Sequence, residues 1–310
     1  MLKKITVIGH RNQDTDATMA AIALADLLTK TKQGKAAAKI ADPPNRETLH
    51  VMKTLGIKKP GSFKAEKNEA VFLVDFNEES QSPIPFSDTQ IEGLVDHHKL
   101  NINFSKEYPI MFRVEPVGSS STIVAKMHFD YGVRPEKKIA SALVAGIVSD
   151  TLKFTSPITT DEDKKIGKKL AKIAGINIDK LADGMFKAKS DLRGMSGKDI
   201  ITMDYKEFVF GNRKTGIGVL ETVNAEAPLK MEKEIRNALA AYKKERGLDL
   251  IFFGSVDIIK QITTLLLLGK EEEETAKLVF AKNISAGKME LPGVVSRKKE
   301  IVPPCMEKLK

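Results

Sequence analysis

The sequence predicts an α/β protein of two domains: an N-terminal parallel sheet with its helices, then a smaller C-terminal mixed α/β domain. Three observations carry this. At 310 residues the chain exceeds the size at which one hydrophobic core usually stops growing. In its first half, short apolar runs alternate with helical periods, the pattern of βαβ units around a parallel sheet. Beyond residue 198, β-branched runs joined by a turn-like GNRKT segment are followed by helical and further strand patterns.

In chain order, the first strand is read at residues 5–8 and its helix at 17–28, the second strand at 36–40 and its helix at 46–55. Apolar runs at 71–74 and 94–95 supply the next two strands. In such sheets ligands gather at the carboxyl ends of the strands. Ser119 to Ser121 cap a helix running through Tyr131, and Pro135 opens another toward Val148 with Ala140, Leu143, Val144 and Ile147 on one face. After Pro157, Thr159 and Thr160 precede Asp161, Glu162 and Asp163, acids suited to the positive end of a helix whose later lysines form a solvated face. The polar segment KAKSDLRGMSGK at 187–198 holds neither period and is read as the linker, giving domains at 1–188 and 199–310 with 189–198 between them. The second domain is expected to hold strands at 200–210, 216–223, 248–256 and 258–268, with helices at 228–246 and 271–280.

With 42% hydrophobic and 29% charged residues, the composition is that of a soluble globular protein. The longest apolar stretch of the C-terminal half, 265–268, is far too short to cross a bilayer, and MLKKITVIGH lacks a secretory core, so a cytoplasmic protein without a membrane partner is expected. Cys305, the single cysteine, has no partner for an internal disulfide and no thiolate spacing for a metal. The net charge of +9 fits an anionic partner, although lysines spread over helix surfaces give the same total. With no Trp and 4 Tyr, the chain has little of the aromatic interleaving used for base stacking, which favours a small polyanion over a nucleic acid.

Directly after the first strand stands Gly9-His10-Arg11-Asn12-Gln13-Asp14-Thr15-Asp16, an imidazole and two carboxylates in one short turn before a helix. A divalent cation would neutralise acids that otherwise repel. Taken alone, Asp16 as a helix cap and Asp14 as a solvated acid is an equal reading. The strand at 71–74 ends in Asp75, and the strand at 94–95 ends in Asp96-His97-His98, so neighbouring parallel strands deliver acid and imidazole to one edge. His10, His97 and His98 are three of five histidines, which makes chance clustering a poor account; His50 and His128 lie in amphipathic patterns and are read as structural.

GHRNQDTD, Asp75 and Asp96-His97-His98 resemble the DHH phosphoesterase superfamily. The run Ser149-Asp150-Thr151-Leu152-Lys153-Phe154-Thr155-Ser156-Pro157, with Thr160 and Asp163, is similar to a further acidic motif of the family II, manganese-dependent inorganic pyrophosphatases. Ser296-Arg297-Lys298-Lys299, with Val302-Pro303-Pro304, resembles the signature of that family's second, DHHA2-like domain. The resemblance covers the whole chain in order. It implies an active site between a DHH domain and the C-terminal domain, with His10, Asp14 and Asp75 on one metal, and Asp16, Asp75, His97 and Asp150 on the other. Asp96 would orient an imidazole. His98 would face the substrate and serve as general acid, and Lys206, Arg297 and Lys298 would bind phosphate.

The implied reaction is hydrolysis of pyrophosphate to two phosphates by hydroxide activated between two metals. Carboxylates with imidazoles suit Mn²⁺, two per subunit, with Co²⁺ a substitute and Mg²⁺ accompanying the substrate. Metals on one domain and cations on the other imply closure across the linker. The family also implies a homodimer. Gln13 and Ala17 stand where the family generally has Pro and often Ser; no inferred ligand is lost. The alternatives are an exopolyphosphatase with the same ligands, a DHH nuclease or phosphodiesterase, whose glycine-rich second domain is not found in this chain, and a non-catalytic metal-binding regulator, which would require a broken site.

Overall fold

The computed structural model describes residues 2–64, 69–101, 108–224 and 226–309. The chain forms two compact units, Met1–Ala188 and Lys189–Lys310.

The first unit is built on β1 (Lys4–Ile8), β2 (Lys35–Ile40), β3 (Gly61–Ser62), β4 (Ala70–Val74), β5 (Gln90–Asp96) and β6 (Met111–Val114). They form one sheet in the order β3-β2-β1-β4-β5-β6, with every pairing parallel. The chain moves outward from β1 through β2 to β3, then returns to place β4 on the other side of β1. Connections that diverge in this way open a crevice at the carboxyl ends of the two central strands. Val7, Ile8, Val71, Leu73, Leu94 and Val95 are fully buried, which explains why these strands read as unbroken apolar runs and not as alternating ones. The sequence pattern missed both edges: β3 spans only Gly61–Ser62, and the apolar residues of β6 are interrupted by Arg113.

The helices of this unit are α1 (Thr15–Lys30), α2 (Arg46–Leu55), α3 (Ser120–Asp130), α4 (Lys137–Asp150), α5 (Asp161–Ala174) and α6 (Ile178–Lys189). Side-chain oxygens start most of them. Asp14 accepts from the Ala17 amide, Asn45 from Thr48 and Ser119 from Ser121, and Thr160 with Asp163 makes a reciprocal capping box. α4 packs against α1, α3 and α5. The close approach depends on Gly146, where a Cβ would lie 2.1 Å from Ser121 Oγ and 2.6 Å from Asp16 Oδ1.

The second unit comprises α7 (Gly197–Thr202), β7 (Asp204–Phe210), β8 (Arg213–Thr222), α8 (Glu226–Lys230), α9 (Glu232–Arg246), β9 (Leu250–Asp257), β10 (Ile262–Leu267), α10 (Lys270–Phe280), β11 (Ile284–Ser285), β12 (Lys288–Pro292) and α11 (Val302–Lys308). Its sheet order is β11-β12-β10-β9-β8-β7, antiparallel except for the β8–β9 pair. Both faces are covered. Phe252 joins a core with Ile217, Leu265 and Cys305, while its neighbours Ile251 and Phe253 point into another with Ile200, Ile235 and Leu239. This is the period of two expected of a strand.

Four sequence expectations are corrected here. The strand read from residue 200 begins only at Asp204, because Ser196 and Asp199 form a capping box that turns 197–202 into a helix. The helix read at 228–246 breaks at Met231 into α8 and α9. The strand read from 258 begins at Ile262, after a turn in which Gln261 has a φ of 55°. The segment taken as linker from 187 is helical through Lys189.

Candidate metal centre

Each acid and imidazole that the sequence singled out in the first half sits at the end of an element. His10 follows β1, Asp14 caps α1 and Asp16 opens it, Asp75 follows β4, Asp96 ends β5 with His97 and His98 behind it, and Asp150 is the last residue of α4. Asp75 leaves its strand with a φ of 69°, a left-handed conformation that Asp and Asn tolerate better than most side chains.

These ends converge. Ligand-capable atoms of His10, Asp14 and Asp75 all lie within 4.8 Å of one another, as do those of Asp16, Asp75, His97 and Asp150. His10 Nε2 is 3.8 Å from Asp14 Oδ2 and 3.7 Å from Asp75 Oδ2. His97 Nε2 is 3.4 Å from Asp75 Oδ1 and 3.5 Å from Asp150 Oδ2. Asp75 is common to both groups and turns one oxygen toward each.

The donor set fits divalent ions on a second ground. Nδ1 of His97 meets the Val117 carbonyl at 3.0 Å, and Nδ1 of His10 meets the Arg11 carbonyl at 2.7 Å. A carbonyl accepts only, so each Nδ1 carries the proton and, in the neutral ring, Nε2 keeps its lone pair facing the carboxylates. His97 Nε2 is buried and has no hydrogen-bond partner among the described residues.

Electrostatics point the same way. Burial, then the charge of Asp75, push the fully buried Asp16 carboxyl up to about 7. Burial works against charging His10, but Asp14 and Asp75 outweigh it and raise the imidazole to about 9. Burial is likewise outweighed at His97, chiefly by Asp75 and then Asp16, with the same result of about 9. Protons on the imidazoles thus supply the positive charge that the carboxylates demand, a task a metal ion would take over.

His98 is set apart from the two ligand-capable groups described above. Its Nδ1 donates to Asp96 Oδ1 at 2.9 Å, and its side chain is half-exposed. The bond to Asp96 raises the imidazole, with burial opposing. Its Nδ1 also stands 4.0 Å from Asp75 Oδ1, close enough to form a third cluster with Asp75 and His97, but that nitrogen is committed to Asp96. Burial opposes ionisation of Asp96, yet hydrogen bonds from His98 and from Asn77 Nδ2 (2.6 Å) hold its carboxyl below the usual range.

Sequence reasoning missed the residues that hold these acids in place. It read Ser119, Ser120 and Ser121 only as a helix start. Ser119 Oγ and the Ser121 amide donate to Asp16 Oδ1 at 2.8 and 3.0 Å, the Ser120 amide donates to Oδ2 at 2.7 Å, and the Ser120 hydroxyl donates to Asp75 Oδ1 at 2.7 Å. The positive end of α3 therefore lies against two buried carboxylates. Buried Asp163 anchors this loop by accepting from the Gly118 amide (2.8 Å) and the Thr122 hydroxyl (2.6 Å). A run of three serines at a helix start was the available signal. Gln13 is buried and accepts from the Ala41 amide at 3.2 Å, so its departure from proline adds a hydrogen bond.

The three cations that the sequence offered for phosphate are in the second unit. Lys206 is exposed on β7, and Lys298 is exposed in the single π turn Arg297–Ile301. Arg297 is buried, and its guanidinium donates to the Asp204 carboxylate (2.7 Å), the Asp204 carbonyl (2.6 Å) and the Ile217 carbonyl (3.4 Å). Cys305 is buried, which pushes its thiol up to about 12. Among the described residues, no helix is long and apolar enough to cross a membrane.

Comparison with known proteins gives consistent results over both units. Residues 4–147 match the DHH family N-terminal domain, and residues 183–308 match the DHHA2 domain. The manganese-dependent inorganic pyrophosphatase of Methanocaldococcus jannaschii is 36% identical over 307 residues, covering 96% of this chain and 97% of its own. That of Bacillus subtilis is 34% identical over 304 residues, covering 97% of each. A Methanococcus jannaschii protein whose crystal structure is described as that of a family II inorganic pyrophosphatase superposes with a TM-score of 0.75 at 33% identity, over 98% of this chain and 99% of its own. An exopolyphosphatase-related protein from Bacteroides fragilis shares the fold, with a TM-score of 0.52 at 16% identity over 99% of this chain and 92% of its own.

Proposed function

The chain belongs to the family of manganese-dependent inorganic pyrophosphatases, and on that premise we propose that it hydrolyses pyrophosphate to two phosphates in the cytoplasm, as a homodimer. The observation that carries the proposal is the convergence of two ligand groups on a shared Asp75. His10, Asp14 and Asp75 would hold one Mn²⁺, and Asp16, Asp75, His97 and Asp150 would hold the second, with Co²⁺ an adequate substitute. When bound, the ions supply Lewis acidity, neutralising substrate charge and making an attacking water acidic near neutral pH.

The remaining work falls to the chain's own side chains. His98, whose hold on its proton the hydrogen bond to Asp96 strengthens, donates a proton to the phosphate that leaves as the P–O bond breaks. Lys206, Arg297 and Lys298, from the DHHA2 domain, bind substrate oxygens, Arg297 after exchanging Asp204 for phosphate. Residues 1–188 act as the metal-binding domain and 199–310 as the phosphate-binding domain, the linker between them being narrowed to the non-helical residues 190–196.

The test is phosphate release from pyrophosphate, tripolyphosphate and a dinucleotide, side by side with Mn²⁺ and with Mg²⁺. Pyrophosphate should be cleaved fastest, Mn²⁺ should outperform Mg²⁺, and chelation should abolish turnover. Preference for tripolyphosphate would make the enzyme an exopolyphosphatase; preference for the dinucleotide, a phosphodiesterase. Absence of turnover on all three would leave a metal-binding regulator.

A further inference from the structure

One buried acid near the metal centre has no part in the chemistry above. Glu47 stands in the first turn of α2, and its residue is 2% exposed. Its Oε2 accepts two hydroxyls at once, from Thr15 Oγ1 at 3.0 Å and from Ser149 Oγ at 2.9 Å. Thr15 Oγ1 also lies 3.0 Å from Thr48 Oγ1. The other carboxylate oxygen, Oε1, is buried without a hydrogen-bond partner among the described residues.

Retaining this group is costly for the fold. A buried carboxylate with an unsatisfied oxygen is a poor way to join helices, and an apolar side chain of similar volume would serve packing as well or better. What an apolar side chain lacks is a single atom that receives two O–H donors from different elements. The donors are informative. Thr15 lies between Asp14 and Asp16 at the start of α1, and Ser149 directly precedes Asp150 at the end of α4. One oxygen of α2 therefore ties together the chain segments that bring Asp16 and Asp150 into one cation-holding group.

We propose that Glu47 is a positioning residue that fixes the separation of Asp16 and Asp150 by gripping their sequence neighbours Thr15 and Ser149, and thereby sets the affinity of the metal centre. The inference rests on the metal-binding reading given above. Glu47 touches neither ion nor substrate. Its contribution is geometric, so the ability to accept the two hydroxyls matters and the charge does not.

The test compares Mn²⁺ dissociation constants, from equilibrium dialysis of the full-length protein, for the wild type, Glu47→Met, Glu47→Gln and Ser149→Ala, each checked for native circular dichroism. Supporting side chains of metal ligands typically change affinity by about 10- to 100-fold. Glu47→Met is expected at the lower end of that range, about 10-fold weaker. Glu47→Gln, whose amide oxygen accepts both hydroxyls, should return to within about threefold of wild type, and Ser149→Ala should fall about threefold or more. Pyrophosphate KM at saturating Mn²⁺ should stay unchanged in all of them. Wild-type affinity in both Glu47→Met and Ser149→Ala overturns the proposal, as does a loss in Glu47→Gln equal to that in Glu47→Met. Should Glu47→Met fail to fold, Ser149→Ala decides alone. A wild type that takes up no Mn²⁺ overturns the functional reading and this proposal together, whereas tight wild-type uptake with unaltered variants overturns the proposal only.

Discussion

Gly146→Ala is a demanding test of how the centre is assembled, because two effects of opposite sign meet at one methyl group. In an exposed helix interior, Ala is more favourable than Gly by about 1 kcal/mol. At position 146 the new Cβ would stand 2.1 Å from Ser121 Oγ, 2.6 Å from Asp16 Oδ1 and 2.9 Å from Ser121 Cβ. The hydroxyl can rotate away cheaply, since it has no hydrogen-bond partner among the described residues. Asp16 Oδ1 cannot, because Ser119 Oγ and the Ser121 amide hold it. Overpacking of this kind costs about 1–3 kcal/mol, and a hydrogen bond to a charged group is worth about 1.5–3 kcal/mol. Destabilisation therefore wins over propensity by about 1.5–5 kcal/mol. For a domain of this size each kcal/mol moves Tm by about 2–4 °C, so a fall of about 3–20 °C is expected in thermal unfolding with excess chelator. Mn²⁺ affinity should drop in parallel, by about 10-fold, because Asp16 is displaced. A variant that melts at or above the wild-type temperature and binds Mn²⁺ equally well would refute the claim that α4 and α3 clamp Asp16.

The pH dependence of the chelated protein follows from the raised imidazoles and the raised Asp16. With folded values of about 9 for His10 and His97, against 6.5 when free, their stabilisation is complete below pH 6.5 and is lost as pH rises through 9. Asp16, at about 7, is also better protonated in the fold, so it adds loss on the way up from pH 4 to 7. Tm in chelator should therefore fall between pH 6 and 9 while Mn²⁺ affinity rises; a flat or rising Tm contradicts the protonated-imidazole picture. For His98→Gln, kcat should drop by about 10²-fold or more and the decline at high pH should disappear; an unchanged profile removes His98 as the acid. Asp75→Asn should keep the fold and the left-handed turn but weaken Mn²⁺ binding by more than about 100-fold in dialysis, since neither group keeps its shared carboxylate. Residues 1–188 expressed alone should bind Mn²⁺ and hydrolyse nothing, which substantial turnover would disprove.

Much of this was legible in the string because the relevant signals are local. Asn45, Ser119 and Thr160 start helices through atoms within three residues of them, and the buried strands of the first sheet announce themselves as apolar runs. Acids at strand ends become a cluster once the sheet is parallel, since all its carboxyl ends share one edge. What was hidden depends on distance in sequence. Nothing near Glu47 signals that Ser149 will meet it, and Ser120 looks like any capping serine until Asp75 is brought alongside. The edge strands escaped notice for different reasons, β3 because it is two exposed residues and β6 because Arg113 breaks a short, partly exposed apolar run. Asp204 as the partner of Arg297 was equally unreadable, 93 residues away.

The left-handed turn at Asp75 constrains what mutation can do there. Backbone geometry favours Asp, Asn or Gly at such a φ and penalises β-branched or bulky side chains. Of the three favoured types, only Asp carries charge. Drift through the sterically permitted neighbours therefore leads to intact proteins without the carboxylate common to both ligand-capable groups. Damage at this position should accumulate as well-folded, inert enzyme, invisible to the chaperones and proteases that remove unstable chains.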